Sequence, residues 1–158
     1  MFSTETRAKD SFTEFFAECE PKLRCALVAS CGPDVGREAA ADALEYAWSH
    51  WDRIRSMEYP VAYLYRVGRS ASRRYRANPR VGDTAPESHD PWVEPRLEAS
   101  LGLLSERQRL AVVLRYSFGY TLDEIAHIMG VSITTVQKHV ERGLTKLRTA
   151  LEVTRCPT

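Results

Sequence analysis

The amino-acid sequence predicts an all-α protein of two small helical domains, residues 1–77 and 96–158, joined by a flexible, proline-rich acidic linker at 78–95. Apolar side chains recur at steps of three or four residues through both domains, which is the period of an amphipathic helix. The linker interrupts this period with four prolines, a glycine and a net negative charge. Near the end of the chain, two capped helices flank a glycine turn. The second domain is therefore predicted to be a helix-turn-helix bundle.

Two helices are expected at the start of the first domain. Ser11 and Glu14 form the S/T-x-x-E pattern of a capping box, in which a hydroxyl and a carboxylate satisfy backbone N–H groups at a helix start. The first helix should therefore begin near Ser11 and end at Gly32, with Phe, Cys and Leu side chains facing the core. The GPD turn that follows makes Asp34 the expected cap of a second helix, which should run to about Arg53 on an alanine-rich apolar face.

A third helix is expected from Pro60, and its cations are ordered. No Asp or Glu occurs from 61 to 80, and five arginines spaced three or four residues apart should form one ridge: Arg66, Arg69, Arg73, Arg76 and Arg80, with Arg74 beside them. Four tyrosines interleave with the arginines: Tyr59, Tyr63, Tyr65 and Tyr75. This combination suits phosphate contacts and base stacking on single-stranded nucleic acid. A solvated basic face over a tyrosine-lined core remains the alternative at this point.

The second domain is expected to contain about four helices. A short helix is predicted by three leucines at helical spacing: Leu97, Leu101 and Leu104. Ser105 with Gln108 makes a second capping box, and Gly119 should end the helix that follows it. Thr121 with Glu124 makes a third capping box, which opens the helix-turn-helix.

Within the helix-turn-helix, Gly130 supplies the turn and Ser132 should cap the second helix. The buried face of that helix should contain Ile133, Val136, Val140, Leu144, Leu147 and Leu151. The opposite face should contain Thr134, Lys138, Arg142 and Thr145, flanked by Gln137 and Glu141. Amide and hydroxyl groups there can pair with base edges, while the cations can neutralise phosphates. The competing interpretation is a two-helix packing unit with a solvated polar face.

Composition limits the class of protein. The net charge of +1 hides an acidic segment between two mildly basic ones, so whole-chain charge does not exclude a nucleic-acid partner. No run of 18 uncharged apolar residues and no signal-peptide pattern occurs, so we expect a cytoplasmic protein without membrane insertion. The four histidines show no metal spacing and no nucleophile motif occurs. We therefore expect no enzyme, metal site, cofactor or small-molecule substrate.

Two features of the first domain are expected to be structural. Trp48 and Trp51 could anchor a partner, but large aromatics at the end of a helix more often belong to the core. Three cysteines recur at steps of six residues, which turns a helix by about 240° and points the thiols in three directions. We therefore expect reduced, packed thiols at Cys19, Cys25 and Cys31, with Cys156 also reduced.

The segment LLSERQRLAVVLRYSFGYTLDEIAHIMGVSITTVQKHVERGLTKLR closely resembles the promoter-recognition domain of bacterial sigma factors of the sigma-70 family. The earlier segment YPVAYLYRVGRSASRRYRAN resembles the promoter-melting helix of that family. Two domains with a short linker are similar to its extracytoplasmic-function subgroup. The resemblance implies a sigma factor that binds core RNA polymerase, through the clamp and the flap, and directs transcription from specific promoters. It leaves open an anti-sigma factor as a further partner.

The resemblance also implies three sets of site residues. The set on the helix that reads the minus-35 element as duplex is Thr134, Thr135, Gln137, Lys138 and Arg142. The set on the helix that captures melted bases of the minus-10 element is Tyr63, Arg66, Arg69, Ser70, Arg73 and Arg74. The set on the helix that grips the polymerase clamp is Arg37, Glu38, Ala41, Asp42, Glu45 and Trp48.

Two departures from the family pattern affect these expectations. The second helix has alanines at 39–41 where the family has branched aliphatics and a glutamine, and alanine cannot make the hydrogen bonds of a glutamine. Ser70 stands where an asparagine is common, so the preferred minus-10 bases are expected to differ. The alternative function is a free-standing regulator that binds operator DNA as a dimer without recruiting polymerase.

Overall fold

The structure is a computed structural model that describes residues 3–77 and 95–153, and every regular element in these two ranges is an α-helix. The all-α prediction is confirmed. The chain divides into two compact units, Met1–Pro79 and Arg80–Thr158. The predicted linker at 78–95 lies outside the described residues except for Pro95, which begins a helix. None of the described helices combines the length and the apolar character that a membrane span requires.

The first unit contains four helices in its described part: α1 (Ser3–Cys31), α2 (Pro33–Ser49), α3 (Trp51–Ile54) and α4 (Pro60–Ala77). The expected start of α1 near Ser11 is wrong, because the helix begins at Ser3 and Ser11 lies inside it. It also continues through Pro21. The residues on either side of this proline that face the core, Cys19 and Leu23, are both buried, so tertiary packing outweighs the low helix propensity of proline.

The start and the end of α2 also differ from expectation. Gly32 precedes the helix with φ of 90° and gives no side-chain cap, and Pro33 is the first helical residue. Asp34 is therefore not the cap but lies in the first turn of the helix. Its negative charge there interacts favourably with the helix dipole. The helix ends at Ser49, and the expected continuation to Arg53 is a separate four-residue helix.

The core of the first unit joins α1, α2 and α4. Its largest fully buried side chains include Leu23 and Leu27 of α1 and Leu64 of α4. The alanine face of α2 lies against them, with Ala39, Ala43 and Ala47 fully buried. At Gly36, a Cβ atom would lie only 2.5 Å from Val28 Cα, so α1 and α2 approach closely because glycine and alanine occupy their contact.

The second unit contains α5 (Pro95–Gly102), α6 (Glu106–Ser117), α7 (Leu122–Met129) and α8 (Ile133–Val153). The predicted capping boxes at Ser105 and Thr121 are confirmed, because both reciprocal side-chain bonds are present in each. Gly130 ends α7 in the left-handed conformation with φ of 66°, as the turn prediction requires. The helix-turn-helix therefore consists of α7, the turn at Gly130 and α8.

The core of the second unit lies under α8. Leu114, Ile125 and Val136 are fully buried, and Val140 and Leu147 of α8 are also buried. Gly143 faces α6, where a Cβ atom would lie 2.7 Å from Val112 Cγ2. The expectation that Ile133 joins the buried face is wrong, since its side chain is 43% exposed at the first residue of α8.

Candidate nucleic-acid interface

The start of α8 is fixed by a cap that involves one of the predicted site residues. The Thr135 N–H donates to Ser132 Oγ at 3.2 Å, and the two hydroxyl oxygens are 2.8 Å apart. The predicted cap at Ser132 is therefore present. Thr135 is half-buried and its hydroxyl already has a partner, whereas Thr134 next to it is exposed.

Four of the five predicted minus-35 residues share the solvent face of α8. Thr134, Gln137, Lys138 and Arg142 are all exposed, while Val136 and Val140 hold the opposite face in the core. Glu141, Thr145, Lys146 and Arg148 extend this exposed polar surface along the helix. We call Thr134, Gln137, Lys138 and Arg142 the recognition face. It presents amide, hydroxyl and cationic groups in the combination that base edges and phosphates accept.

His139 lies beside the recognition face and adds no charge to it. It is half-buried, and burial lowers its pKa below the usual value, with smaller contributions from Arg107 and Arg142. The imidazole is therefore neutral at physiological pH. The cationic character of the recognition face comes from Lys138 and Arg142.

On α4, the six predicted minus-10 residues divide by exposure. Arg66, Ser70, Arg73 and Arg74 are exposed, and Tyr63 and Arg69 are half-buried. Gly68 explains how this helix packs, since a Cβ atom there would lie 2.5 Å from Leu27 Cδ1 of α1 and 3.1 Å from the Ala39 carbonyl oxygen of α2. The helix that bears these arginines therefore packs closely against both neighbouring helices through its Gly68 side.

The expectation of one uninterrupted arginine ridge is only partly correct. Arg69 donates to Cys31 Sγ at 3.8 Å, and Arg76 donates to the Ser30 carbonyl oxygen at 3.5 Å, so both side chains lie against the end of α1. Arg74 pairs with Asp42 of α2 at 3.5 Å. Arg80 lies outside the described residues. Helical spacing places side chains around an axis, but it does not show which of them a neighbouring helix engages.

The tyrosines on and before α4 do not form one stacking surface. Tyr65 is buried and its hydroxyl oxygen lies 2.6 Å from Ser30 Oγ, which fits the tyrosine-lined core that the sequence left open. The Tyr75 hydroxyl donates to Asp42 at 2.7 Å. Tyr59 is half-buried in the segment before α4. Of these four tyrosines, Tyr63 is the one in the predicted minus-10 set. Its side chain is half-buried.

Tyr63 belongs to an aromatic cluster that the sequence analysis missed. Its hydroxyl oxygen lies 3.1 Å from that of Tyr46, and the Arg53 guanidinium lies over its ring at 5.5 Å. Tyr46 in turn stacks on His50, with ring centroids 4.1 Å apart. The hydrogen bond with Tyr63 is the main cause that raises the pKa of Tyr46. The i, i+4 spacing of Tyr46 and His50 is the sequence signal that could have found the cluster.

The predicted polymerase-binding residues lie on one side of α2. Arg37, Glu38, Ala41, Glu45 and Trp48 are exposed, while Asp42 is half-buried and contacts α4. We call the five exposed residues the α2 face. Arg37 lies 3.8 Å from Asp34 in an exposed ion pair.

Aromatic side chains extend the α2 face toward α1. The core assignment is correct for Trp51, which is 8% exposed, and wrong for Trp48, which is 47% exposed. Phe16, also expected in the core, is 42% exposed, and the Phe12 ring meets Trp48 edge-on at 4.8 Å. A groove of about 370 Å³ between α1 and α2 is lined by Phe12, Phe16, Leu44 and Glu45, among others. This is an apolar groove with a charged border.

The three described cysteines are free thiols, and Cys156 lies outside the described residues. Burial raises the pKa of Cys19 to about 12 and also raises that of Cys25, so neither thiol is activated as a nucleophile. Among the described residues, no three His, Cys, Asp or Glu side chains are grouped as a metal site would need. The predicted site residues of α2, α4 and α8 lie mostly on exposed surfaces of these helices.

Comparison with known proteins gives a family match for the second unit. Residues 95–147, about a third of the chain, match the family model for sigma-70, region 4. This range covers α5, α6, α7 and most of α8, including the recognition face. The second unit is therefore similar to region 4 of the sigma-70 family. No curated protein matches the chain in a sequence search.

Two solved structures share the fold of this chain. The sigma factor RpoE from Bartonella quintana, solved with the anti-sigma factor NepR, is 23% identical with a TM-score of 0.68, over 90% of this chain and 98% of that one. CnrH, solved with the cytosolic domain of CnrY, is 23% identical with a TM-score of 0.62, over 92% of this chain and 90% of that one. At this identity the likeness establishes the fold, which agrees with the two-domain extracytoplasmic-function subgroup that the sequence resembles.

Proposed function

We propose that this chain is a sigma factor of the sigma-70 family, which binds core RNA polymerase and directs it to specific promoters. The observation that carries the proposal is the exposed recognition face on the α8 helix of a region 4 unit. A second exposed cationic helix, α4, belongs to the other unit of the chain. A protein with two such surfaces can read duplex DNA with one and hold a melted strand with the other.

In this proposal the recognition face reads the minus-35 element in the major groove. Thr134 and Gln137 are close to the start of α8, where helix-turn-helix proteins usually contact base edges. Lys138 and Arg142 form no ion pair within the described ranges and are suited to phosphates. Thr135 contributes through the cap that it forms with Ser132, which fixes the direction of the first turn.

The minus-10 element is assigned to α4. Arg66, Ser70, Arg73 and Arg74 are exposed and can contact the backbone of a melted strand. Arg69 contacts the end of α1 through Cys31, so we assign it a part in holding the helix as well as a strand contact. Tyr63, covered on one side by Arg53, offers the aromatic ring of this set for an unstacked base.

Core polymerase is assigned to the α2 face. Trp48 and the groove beside it offer apolar area, and Arg37, Glu38 and Glu45 supply charges of both signs around it. Large exposed aromatics surrounded by polar side chains are typical of protein interfaces. The clamp is the proposed partner of this face, and the flap is the proposed partner of the second unit. The alanines at 39–41 cannot make the hydrogen bonds of the family's glutamine, so Trp48 must supply more of the affinity.

An anti-sigma factor is a further proposed partner. Both structural neighbours were solved as complexes, one with the anti-sigma factor NepR and the other with the cytosolic domain of CnrY. A protein that covers the α2 face would compete with core polymerase for the same aromatic surface. No membrane insertion and no small-molecule substrate belong to this proposal, and the cytoplasm is the proposed location because the polymerase works there.

Run-off transcription tests the proposal. Purified core polymerase is incubated with genomic fragments from the source organism, with and without the full chain. New discrete transcripts that depend on the chain are expected. A matched reaction with Trp48→Ala should give weaker transcripts that recover at higher protein concentration, because removal of this aromatic side chain lowers the affinity for polymerase.

The operator-binding alternative predicts the opposite result of run-off transcription. A dimeric regulator would give no new transcripts, would not associate with core polymerase and would show a mass that doubles with concentration. The α4 helix and the α2 face favour the sigma-factor proposal over this alternative, because a helix-turn-helix dimer reads its half-sites without them. Absence of transcripts together with absence of polymerase binding would overturn the sigma-factor proposal.

A further inference from the structure

Asp42 differs from the other charged residues of α2 in its surroundings. Its side chain is 28% exposed and its carboxylate accepts hydrogen bonds from two residues of α4. The Tyr75 hydroxyl donates to Asp42 Oδ2 at 2.7 Å, and the Arg74 guanidinium donates to the same oxygen at 3.5 Å. Glu38 and Glu45, one turn away on either side, are exposed. Asp42 is thus the acidic residue of α2 that connects this helix to the proposed DNA-binding helix.

The contacts of Asp42 complete a set that holds the second half of α4 from two directions. On the α1 side, Arg69 reaches Cys31 and Arg76 reaches the Ser30 carbonyl oxygen. On the α2 side, Asp42 engages Tyr75 and Arg74. Contacts on both sides of a helix fix its rotation about its own axis, and that rotation decides where the exposed arginines point.

The chemistry of Asp42 and Tyr75 favours a strong hydrogen bond between them. The hydrogen bond to Asp42 is the main cause that raises the pKa of Tyr75, so the phenol remains a donor at physiological pH. A charged acceptor and a short distance make this one of the stronger types of hydrogen bond. Arg74 is different, because its side chain is 75% exposed and its bond to Asp42 is long. A guanidinium has five N–H donors, so Arg74 can keep this contact and still offer donors to a phosphate.

We propose that Asp42 is a positioning residue for promoter-strand binding: through Tyr75 and Arg74 it sets the orientation of α4, and it does not contact the polymerase. This inference rests on the proposed function and revises it at one position, because Asp42 then leaves the polymerase-binding set. Asp42 then connects α2, which bears the proposed polymerase-binding face, to the proposed DNA-binding helix α4.

The first test uses hydrogen exchange on the free full chain. Asp42→Ala and Tyr75→Phe should both speed amide exchange in α4 from about residue 70 to its end. Asp42→Asn should restore part of the protection, because its amide oxygen can still accept from Tyr75. Glu18→Ala is the matched control, since it removes an exposed carboxylate from α1, outside the proposed binding surfaces, and should leave exchange in α4 unchanged. Unchanged exchange in Asp42→Ala would overturn the inference.

The second test uses holoenzyme formed with each variant on a premelted template of a promoter found by run-off transcription. Asp42→Ala and Tyr75→Phe should each weaken template binding about threefold to tenfold, the effect of removing one hydrogen bond. Tyr75→Phe changes no charge, so electrostatics cannot explain its defect. The double variant should be no worse than Asp42→Ala, because both changes remove the same contact. Affinity for core polymerase should stay within about twofold of wild type, as for any substitution outside an interface.

The outcomes separate the inference from the proposed function. Loss of polymerase affinity in Asp42→Ala with normal template binding would make Asp42 a polymerase contact and overturn the inference. Template binding by Asp42→Ala equal to that of wild type would also overturn it while leaving the sigma-factor proposal intact. A wild-type chain that forms no open complex would overturn the proposed function, and the role of Asp42 in strand binding with it.

Discussion

Gly36 is the residue where the backbone of α2 meets that of α1, and its replacement tests how closely the two helices must approach. A Cβ atom there would lie 2.5 Å from both Val28 Cα and Val28 N, which are backbone atoms that cannot rotate away. Gly36→Ala should therefore lower the free energy of unfolding by about 1–3 kcal/mol, although alanine favours the helix. Urea unfolding followed by far-ultraviolet circular dichroism measures the change.

Gly102→Ala is the matched control for this prediction. Gly102 ends α5, and a Cβ atom there would meet nothing within 4 Å. Its substitution should leave the free energy of unfolding unchanged or raise it by about 0.4–1 kcal/mol, since alanine restricts the unfolded chain. Equal effects of the two substitutions would contradict the close helix contact inferred at Gly36.

Cys19 makes the stability of the protein depend on pH in the alkaline range. Burial raises the pKa of its thiol from 9.0 to about 12, so between these values the unfolded chain releases a proton that the folded chain keeps. Unfolding is therefore favoured as pH rises, and this residue should lower the free energy of unfolding by up to about 1.4 kcal/mol per pH unit above pH 9. The contribution is fully present below pH 9.

Cys19→Ala isolates this contribution from other titrating groups. The variant loses packing at every pH, but it has no thiol to ionise. The gap in unfolding free energy between wild type and variant should therefore narrow from pH 8 to pH 11, as measured by urea unfolding. Parallel curves over this range would mean that the thiol is less well shielded than its burial indicates.

At the scale of the element, α8 should contact phosphates through two separate cations. Removing one phosphate interaction with duplex DNA reduces the slope of log K against log salt by about 0.9. Lys138→Ala and Arg142→Ala should each show this reduction in minus-35 duplex binding, measured by fluorescence anisotropy from low to physiological salt. Arg24→Ala is the control, because Arg24 is paired with Glu20 at 2.8 Å on α1. A slope identical to wild type would show that the substituted cation does not touch the DNA backbone.

The sequence predicts helices best where a local signal marks their ends. Both capping boxes of the second unit and the left-handed glycine after α7 are as expected, because each depends on residues only a few positions apart. The capping-box pattern at Ser11 does not mark a helix start, and it shows the limit of such a local signal. The pattern permits a helix start but does not require one, and α1 passes through it from Ser3.

Site residues were harder to predict than helices, because exposure depends on neighbours that are distant in the sequence. The recognition face was predictable, since the apolar stripe of α8 determines which side faces solvent. The arginine ridge of α4 was not, because the end of α1 and the middle of α2 engage Arg69, Arg74 and Arg76 across 32 to 46 residues of sequence. Helical periodicity contains no information about such pairs.

At the scale of the whole molecule, the order of the two units supports the functional assignment more than either unit alone. A region 4 match covers only the second unit, and the first has an arginine-rich helix that other proteins could also contain. Their order along one chain agrees with the sigma-factor proposal, and RpoE and CnrH share the fold. The assignment of the minus-10 and minus-35 residues stays a prediction.

A double-mutant cycle across the two units tests the proposed division of labour. Arg73 of α4 is exposed in the first unit, and Lys138 of α8 is exposed in the second. If one binds the melted strand and the other the duplex, Arg73→Ala should impair open-complex formation and leave duplex minus-35 binding intact. Lys138→Ala should weaken duplex minus-35 binding, and it should have no effect on a premelted template that lacks the minus-35 element.

The free energies of the two substitutions should then add within about 0.5 kcal/mol in open-complex stability on the intact promoter. The pair Asp42 and Tyr75, whose side chains are in direct contact at 2.7 Å, provides the comparison in which additivity should fail. Coupling between Arg73 and Lys138 as large as that of the contacting pair would contradict separate binding surfaces. It would mean instead that the two helices act on the same segment of DNA.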